Sequence, residues 1–183
     1  MGKRNLDKIV VIDLEATCWE NPKDQGSQIS EIIEIGTCFL NIKTGELSNK
    51  IGYIVRPQYS TISEFCTKLT TLTQEQVDKG IPFRDACNKL RKEFGSVNRV
   101  WASYGDYDRK QFERDCALLH VEYPFKQTHI NVKTLLALKH GMGREIGLAN
   151  AVEMFGWKFE GTHHRGCDDA WNIAKVLWEL IKR

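Results

Sequence analysis

Residues 8–14 read KIVVIDL, and Glu15 follows them directly. The run is apolar and rich in β-branched residues, which is typical of a buried strand. Asp13 and Glu15 stand two positions apart, so they share one face of that strand and project together from its C-terminal end. Sheets flanked by helices bind ligands beyond strand ends, so the pair predicts a site there. Two solvated acids on an exposed strand face are the competing interpretation.

The flanking sequence predicts the rest of the sheet and its helices. Residues 31–41 and 50–56 predict two further strands joined by a turn at 43–46, so that the first three strands form an antiparallel meander. Thr73 and Gln76 are spaced as a capping box that opens a short helix. A fourth strand is predicted at 97–103, and helices at 83–95, 106–119, 131–140, 147–155 and from 168 to the end. This order favours an α/β fold with a mixed sheet flanked by helices.

The helix that begins near residue 106 carries an acid on its apolar face. Asp108 lies on the same helical face as Phe112, Cys116 and Leu119. Asp106 instead falls on a polar face and suits an N-cap. An acid in a first turn complements the helix dipole, which explains Asp106. It does not explain why Asp108 points at the core.

The last helix repeats this arrangement. Asp168 is on the polar side with Asn172, Lys175 and Glu179, whereas Asp169 shares a face with the apolar residues Ile173, Val176, Leu177 and Leu180. A buried carboxylate without a partner is costly. Two inward acids at two helix starts, together with an acid pair at a strand end, therefore predict a shared divalent cation. Oxygen ligands favour Mg²⁺ or Mn²⁺.

Two histidines precede the last helix in the loop GTHHRGC, residues 161–167. An imidazole titrates near neutral pH and can act as a general base. A solvated loop histidine is an equally good interpretation of the pattern. Zinc is a poor alternative, because His163 and His164 are adjacent rather than four residues apart and Cys167 alone does not complete a site.

Length and composition indicate an ordinary globular protein. The 183 residues suit a single domain, 1–183, since domains commonly run about 100–200 residues. The formal net charge is only +2, so bulk charge is a weak argument for nucleic-acid binding. The six cysteines lack metal-ligand spacing, no signal peptide precedes them, and no run approaches the ~20 apolar residues of a membrane span. We expect a cytoplasmic protein with free thiols and no membrane partner.

Three segments of the chain resemble the exonuclease motifs of the DEDDh family, also called the DnaQ-like or RNase T superfamily. They are VIDLEATCW at 11–19, YGDYDRKQF at 104–112 and HRGCDDAWNIA at 164–174. Their order and separations match the family pattern, and together they are highly specific. The amino-acid sequences of the motifs are most similar to those of the Eri1-like branch of 3′→5′ exoribonucleases. The likeness covers about residues 7–182.

This resemblance implies a fold, a cofactor and a set of catalytic residues. The fold would be ribonuclease H-like, with a central five-stranded mixed sheet and helices on both sides. Asp13, Glu15, Asp108 and Asp169 would hold two Mg²⁺ or Mn²⁺ ions, with Asp13 bridging them. The family's histidine lies five residues before its last aspartate, which selects His164 as the base that deprotonates the attacking water.

The same resemblance suggests where a substrate binds. Ala16, Thr17, Cys18 and Trp19 follow the acid pair directly, so they are expected to border the terminal nucleotide. The aromatic rings of Trp19, Tyr104 and Tyr107 are candidates for base stacking, although core packing is the common role of such rings. Arg165 is a candidate phosphate contact, and a solvated surface role is its alternative.

The expected function is a 3′→5′ exonuclease that releases nucleoside 5′-monophosphates from single-stranded 3′ ends, with RNA preferred. A DNA-directed exonuclease of the proofreading type is the alternative within this class. A nucleic-acid-binding module without activity is a third interpretation. All five active-site positions are intact, which argues against it. A purely structural protein would not explain two inward acids. Some members of the superfamily dimerise, so a homodimer is also expected as a possible assembly.

Overall fold

The computed structural model of the protein describes residues 5–182. The predicted domain 1–183 therefore includes residues 1–4 and 183, which lie outside the described part. The strands are β1 (Asn5–Ala16), β2 (Ile32–Asn41), β3 (Leu47–Arg56), β4 (Ile81–Pro82), β5 (Arg99–Ser103) and β6 (His129–Asn131). The helices are α1 (Pro22–Gln25), α2 (Glu64–Thr70), α3 (Gln74–Asp78), α4 (Phe83–Phe94), α5 (Tyr107–Leu118), α6 (Val132–Lys139), α7 (Leu148–Met154) and α8 (Gly166–Ile181), with a 3₁₀ turn at Ser96–Asn98.

The strands form one mixed sheet in the order β4-β3-β2-β1-β5-β6. The first three strands pair antiparallel, which confirms the predicted meander, and β5 and β6 continue the sheet parallel to β1. The expected count of five strands is wrong, because the described residues contain six. Strands β4 and β6, which the sequence patterns did not locate, have two and three residues, β4 ends in a proline, and neither is long enough to show a period in the sequence.

Strand β1 separates the two cores of the protein. Val10 and Ile12 face a core built with α4 and α5, whereas Ile9 and Val11 face a second core built with α6, α7 and α8. All four side chains are at most 7% exposed. Because side chains alternate along a strand, the face of Ile9 and Val11 continues into the two acids that follow. The acids therefore emerge on the side of the sheet that α8 covers.

The predicted helices are confirmed within one or two residues at most of their ends. The Thr73 side chain accepts from the Gln76 N–H in the expected capping box. Helices α1 and α2 are missing from the prediction, because four and seven residues carry too little periodicity. Asp106 stands at the N-cap position of α5 but its side chain makes no cap hydrogen bond. It pairs with Arg109 and Lys110 instead.

Two glycines let α8 lie directly on the sheet. A Cβ atom at Gly36 of β2 would overlap the backbone carbonyl of Gly166, the first residue of α8. A Cβ atom at Gly166 would lie 2.9 Å from the Gly36 nitrogen and 3.2 Å from the Asp13 carbonyl oxygen. Only glycine at both positions allows this backbone contact. It fixes the first turn of α8 beside the end of β1.

Within residues 5–182, no helix combines the length and the apolar character that crossing a lipid bilayer would require.

We expect Gly36→Ala to destabilise the protein by about 3 kcal/mol, because an overpacked backbone contact cannot relax without moving α8. Urea denaturation followed by circular dichroism measures this change. Gly147→Ala is the matched control, since a Cβ there meets nothing within 4 Å and the backbone φ is −67°. It should change the free energy of unfolding by less than about 0.5 kcal/mol. Equal effects of the two substitutions would contradict the tight contact.

Candidate active site

Three carboxylates meet where the end of β1 faces the first turn of α8. Oxygen atoms of Asp13, Glu15 and Asp169 all lie within 4.8 Å of one another. Glu15 is 7% exposed and Asp169 3% exposed, so both are buried. Asp169 lies on the apolar face of α8, as its spacing predicted, and the glycine contact holds that turn against the sheet.

Asp108 completes the set from the other side of β1. It is the second residue of α5 and is 4% exposed, and Phe112 and Cys116 on the same face are buried with it, as predicted. Its Oδ1 accepts a hydrogen bond from the Leu14 backbone N–H at 3.0 Å. Asp108 lies outside the cluster of three carboxylates, so it borders that cluster rather than belonging to it.

The acids open into a cavity of about 290 Å³, which we call the carboxylate cavity. Its walls contain the predicted residues Asp13, Glu15, Ala16, Cys18, Tyr104, Tyr107, Asp108, His164 and Asp169, and also Leu14, Leu69, Leu148 and His163. A larger cavity of about 560 Å³ lies beside α5 against Trp101 and Tyr123. Glu113 is the single carboxylate in its walls, so size alone does not identify the site.

Burial raises the pKa of all four acids, and the charges of neighbouring carboxylates add to the shift at Asp13 and Glu15. Burial, followed by the charges of Asp108 and Asp169, raises the pKa of Asp13 well above its usual range. Burial and the Asp169 charge raise the pKa of Glu15 to about 9. Burial raises the pKa of Asp169 to about 7 and that of Asp108 to about 6. Nearby positive charge would reverse these shifts.

A divalent cation fits this donor set. Both carboxylate oxygens of Asp169 are buried and have no hydrogen-bond partner among residues 5–182, which is unusual because buried polar atoms are nearly always paired. Each acid in the cluster offers an oxygen, the ligand that hard cations such as Mg²⁺ and Mn²⁺ prefer. The unpaired oxygens and the raised pKa values are both explained if the cluster is a metal site.

The two histidines stack on each other at the mouth of the cavity. Their ring centroids are 4.0 Å apart, and both side chains line the cavity. His163 Nε2 lies 3.7 Å from Asp169 Oδ1, so His163 is the imidazole that faces the acid in this conformation. His164 has a φ of 65°, a left-handed backbone that costs of order 1 kcal/mol for a residue with a side chain. Desolvation lowers the pKa of both imidazoles, which favours neutral rings able to accept a proton.

Thr17 is placed away from the cavity. It is 1% exposed, and its hydroxyl lies 3.0 Å from the Ser60 hydroxyl. Ser60 donates to Glu31, which also accepts from the backbone N–H groups of Gln58 and Tyr59. The Thr17 hydroxyl therefore helps to attach Ser60 to the end of β1, and Thr17 lines a depression beside the cavity rather than the cavity itself.

Trp19 and Arg165 are also absent from the cavity walls. Trp19 lines two neighbouring depressions instead. The Arg165 guanidinium pairs with Glu34 at 3.1 Å. Glu34 is fully buried on β2 and also accepts from the Gly166 N–H at 3.2 Å. Arg165 therefore neutralises Glu34 in this structure, and the predicted phosphate contact would require that pair to open.

Leu69, Leu148 and Glu34 were not among the predicted site residues. Leu69 and Leu148 are apolar walls of the cavity, and their sequence positions give no signal beyond core packing. Glu34 lies in the apolar run IIEIG of β2, where a charge at a buried position was the available signal. Asn172 also departs from its predicted exposed face: it is fully buried and donates to the carbonyls of Glu160 and Asp168.

Comparison with known proteins points to one family. A family model described as an exonuclease, RNase T, matches residues 10–177. Human ERI1 exoribonuclease 2 is 30% identical over 205 residues, which cover 99% of this chain and 29% of that protein. Human 3′-5′ exoribonuclease 1 is 32% identical over 187 residues, which cover 96% of this chain and 53% of that protein. The chain thus spans about half or less of these two relatives.

The structural comparison agrees with the sequence comparison. The nuclease domain of 3′hExo, a DEDDh family member, bound to rAMP, matches with a TM-score of 0.88 at 29% sequence identity. The match covers 99% of this chain and 94% of that one. Likeness at this level extends across the whole sheet and its helices.

In metal-free buffer at pH 7 or above, we expect Asp169→Asn to raise the melting temperature by roughly 2–4 °C, the effect of about 1 kcal/mol in a domain of this size. The substitution removes a buried carboxylate that has no hydrogen-bond partner. The folded-state pKa lies above the unfolded one, so the destabilising charge is absent near pH 4 and grows as the pH rises toward 7. Differential scanning calorimetry from pH 4 to 8 measures the difference in melting temperature between Asp169→Asn and the wild type.

Asp168→Asn is the matched control for this experiment. Its carboxylate pairs with Lys50 at 2.5 Å and accepts from the Thr162 N–H, so its loss should lower the melting temperature. Added Mg²⁺ or Mn²⁺ should stabilise the wild type and the Asp168→Asn variant more than Asp169→Asn. Equal metal stabilisation of all three proteins would exclude Asp169 as a ligand.

Proposed function

Since the chain belongs to the RNase T exonuclease family, as an Eri1-like member of its DEDDh type, we propose that it is a two-metal-ion-dependent 3′→5′ exonuclease acting on single-stranded RNA ends. The resemblance and the ribonuclease H-like fold predicted from the sequence are both confirmed. The activity of the whole protein, its substrate and its metals are the proposal.

One observation supports this function above the others. Asp13, Glu15 and Asp169 bring oxygens within 4.8 Å of one another, and Asp108 lines the same cavity. A binding module would have no reason to keep this cluster, because three buried acids and a partly buried one without a cation destabilise the fold. The proposed ions are Mg²⁺ or Mn²⁺, since all the donor atoms are carboxylate oxygens.

The proposed reaction is hydrolysis of the last phosphodiester bond. When bound, the ions supply a Lewis acid that neutralises charge on the reacting phosphate and favours the ionised form of water. Asp13, Glu15, Asp108 and Asp169 would hold the ions. His164 accepts the proton of the attacking water, whose oxygen bonds to phosphorus as the bond to the 3′-oxygen of the preceding nucleotide breaks. The product is a nucleoside 5′-monophosphate.

RNA is the proposed substrate because the similar human proteins are exoribonucleases and the similar nuclease domain was solved with rAMP. Ala16, Cys18, Tyr104 and Tyr107 line the cavity where a terminal nucleotide would lie. A DNA-directed 3′→5′ exonuclease is the alternative, and contacts to a 2′-hydroxyl would separate the two.

We further propose a cytoplasmic setting, which six free cysteines support. A homodimer stays a prediction.

We expect 5′-labelled single-stranded RNA to shorten stepwise from its 3′ end in Mg²⁺ or Mn²⁺, because the four acids lie where a terminal phosphate could enter. A time course on denaturing gels with RNA and DNA of one sequence measures this. Asp13→Ala is the contamination control and should leave both strands intact. Faster loss of DNA than of RNA would favour the proofreading-type alternative, and no metal-dependent cleavage of either would refute the proposal.

We expect His164→Ala to lower the cleavage rate by about 10²–10⁴-fold, the usual contribution of a general base, while metal binding is retained. His163→Ala should lower it far less. Single-turnover rates and metal titration followed by thermal shift measure the two effects. A larger loss for His163→Ala would show that the imidazole facing Asp169 in this structure is the base, and that the five-residue spacing selects the wrong histidine.

A further inference from the structure

The carboxylate cavity continues into a second depression along the surface. This depression has a volume of about 380 Å³ and shares Cys18 and Tyr107 with the cavity. Tyr107 is 55% exposed, so its ring forms a bare wall where the two spaces join. Trp19 and Ser30 lie further along the same depression. A chain whose end occupied the carboxylate cavity would leave it past Tyr107.

Beyond Tyr107 the surface divides into two branches. One branch shares Trp19 and Glu20 with the depression and has a volume of about 290 Å³. The other shares Ser30, has a volume of about 190 Å³ and is flanked by Ile29 and Leu118. These two aliphatic side chains are 36% and 39% exposed, so they offer flat apolar surface to a ligand.

The two branches differ in charge, since the Trp19 branch has an excess of carboxylates and the Ser30 branch has one buried carboxylate, Asp115, beside one guanidinium. The Trp19 branch contains the carboxylates of Glu20, Asp24 and Glu64 against the single cation Lys68, which lies 3.9 Å from Glu64. The Ser30 branch contains the guanidinium of Arg114, which is exposed and forms no ion pair within 4.0 Å among residues 5–182. A phosphodiester chain is repelled by the first branch and attracted by the second.

The floor of the Ser30 branch is rigid. Gln111 donates to the Ser30 carbonyl at 3.0 Å and to Asp115 at 2.7 Å, and Asp115 accepts from the Ile32 N–H at 2.8 Å. Asp115 is 1% exposed, so its carboxylate is turned into this network and away from the branch. Gln111 also accepts a hydrogen bond from Arg114. The cation is therefore held in place beside the exposed aliphatic surface.

We propose that the RNA strand preceding the terminal nucleotide runs from the carboxylate cavity past Tyr107 and along the Ser30 branch, where Arg114 binds an internal phosphate. The Tyr107 ring offers sequence-tolerant stacking to a base, and Ile29 and Leu118 offer apolar contact, which suits an enzyme that must accept every nucleotide. This inference rests on the proposed function. It adds Arg114, Ile29 and Leu118, which lie outside the acids and the family motifs.

The test compares Arg114→Gln with Lys68→Gln, which removes the cation of the other branch. Both are made in an Asp13→Asn background so that RNA binds without being cleaved. Fluorescence anisotropy of a labelled single-stranded octanucleotide should show about five- to tenfold weaker binding for Arg114→Gln, as expected for one lost contact of this kind. The slope of log affinity against log salt should become shallower by about 0.7. Lys68→Gln should change neither.

A kinetic experiment in the otherwise wild-type protein gives a second readout. Arg114→Gln should raise the KM for an RNA octanucleotide relative to the KM for a dinucleotide, because the single phosphodiester of a dinucleotide is the one that the carboxylate cavity would hold. Its kcat should not change, because Arg114 lies outside the carboxylate cavity. Unchanged melting temperature serves as the control for folding, since the side chain is exposed.

The outcomes separate this inference from the proposed function. Arg114-dependent RNA binding without cleavage by the wild type would support the branch and refute the nuclease. If the wild type cleaves RNA but Arg114→Gln and Lys68→Gln bind RNA equally well, the proposed nuclease activity stands and the proposed path along the Ser30 branch is wrong. A greater loss for Lys68→Gln would direct the strand along the Trp19 branch instead. No RNA binding by the Asp13→Asn protein, together with no RNA cleavage by the wild type, would overturn both.

Discussion

The contact between two backbones at Gly36 and Gly166 determines where the chemistry of this protein can occur. No side chain separates β2 from the start of α8, so the helix lies on the sheet at the shortest distance that backbone atoms allow. Asp169, three residues into that helix, is thereby brought beside the acids of β1. The rest of α8 then covers the second core, which shows that a single packing arrangement serves both stability and the site.

The acids at this junction destabilise the fold that positions them. Burial raises the pKa of all four, the charges of the other acids add to the shift at Asp13 and Glu15, and both oxygens of Asp169 lack a hydrogen-bond partner among residues 5–182. Other buried carboxylates of the protein are satisfied: Glu31 accepts three hydrogen bonds, and Asp115 accepts from Ile32 and Gln111. The contrast is informative, because the unsatisfied group is the one that a cation would satisfy. The folded protein is therefore less stable at the position where a cation is expected to bind.

Much of this arrangement could be predicted from the sequence, because strand and helix periodicities report which side chains share a face. The alternation after residue 8 predicted the acid pair, and helical spacing separated Asp108 from Asp106 and Asp169 from Asp168. Contacts between distant segments could not be predicted in this way. Thr17 is adjacent to the site in sequence, yet it bonds to Ser60, and Arg165 is turned toward Glu34, 131 residues away. Strands of two or three residues could not be predicted either, since only their pairing with a neighbouring strand defines them.

The network around Glu31 attaches one wall of the carboxylate cavity to the sheet without using the four acids that line it. Those acids lie on β1, α5 and α8, whereas Leu69 of the cavity wall belongs to α2, which follows residues 58–60. Glu31 and Thr17 contact residues 58–60 through a carboxylate and hydroxyl groups. A change in that wall would therefore alter the shape of the cavity while β1, α5 and α8 keep the acids in position.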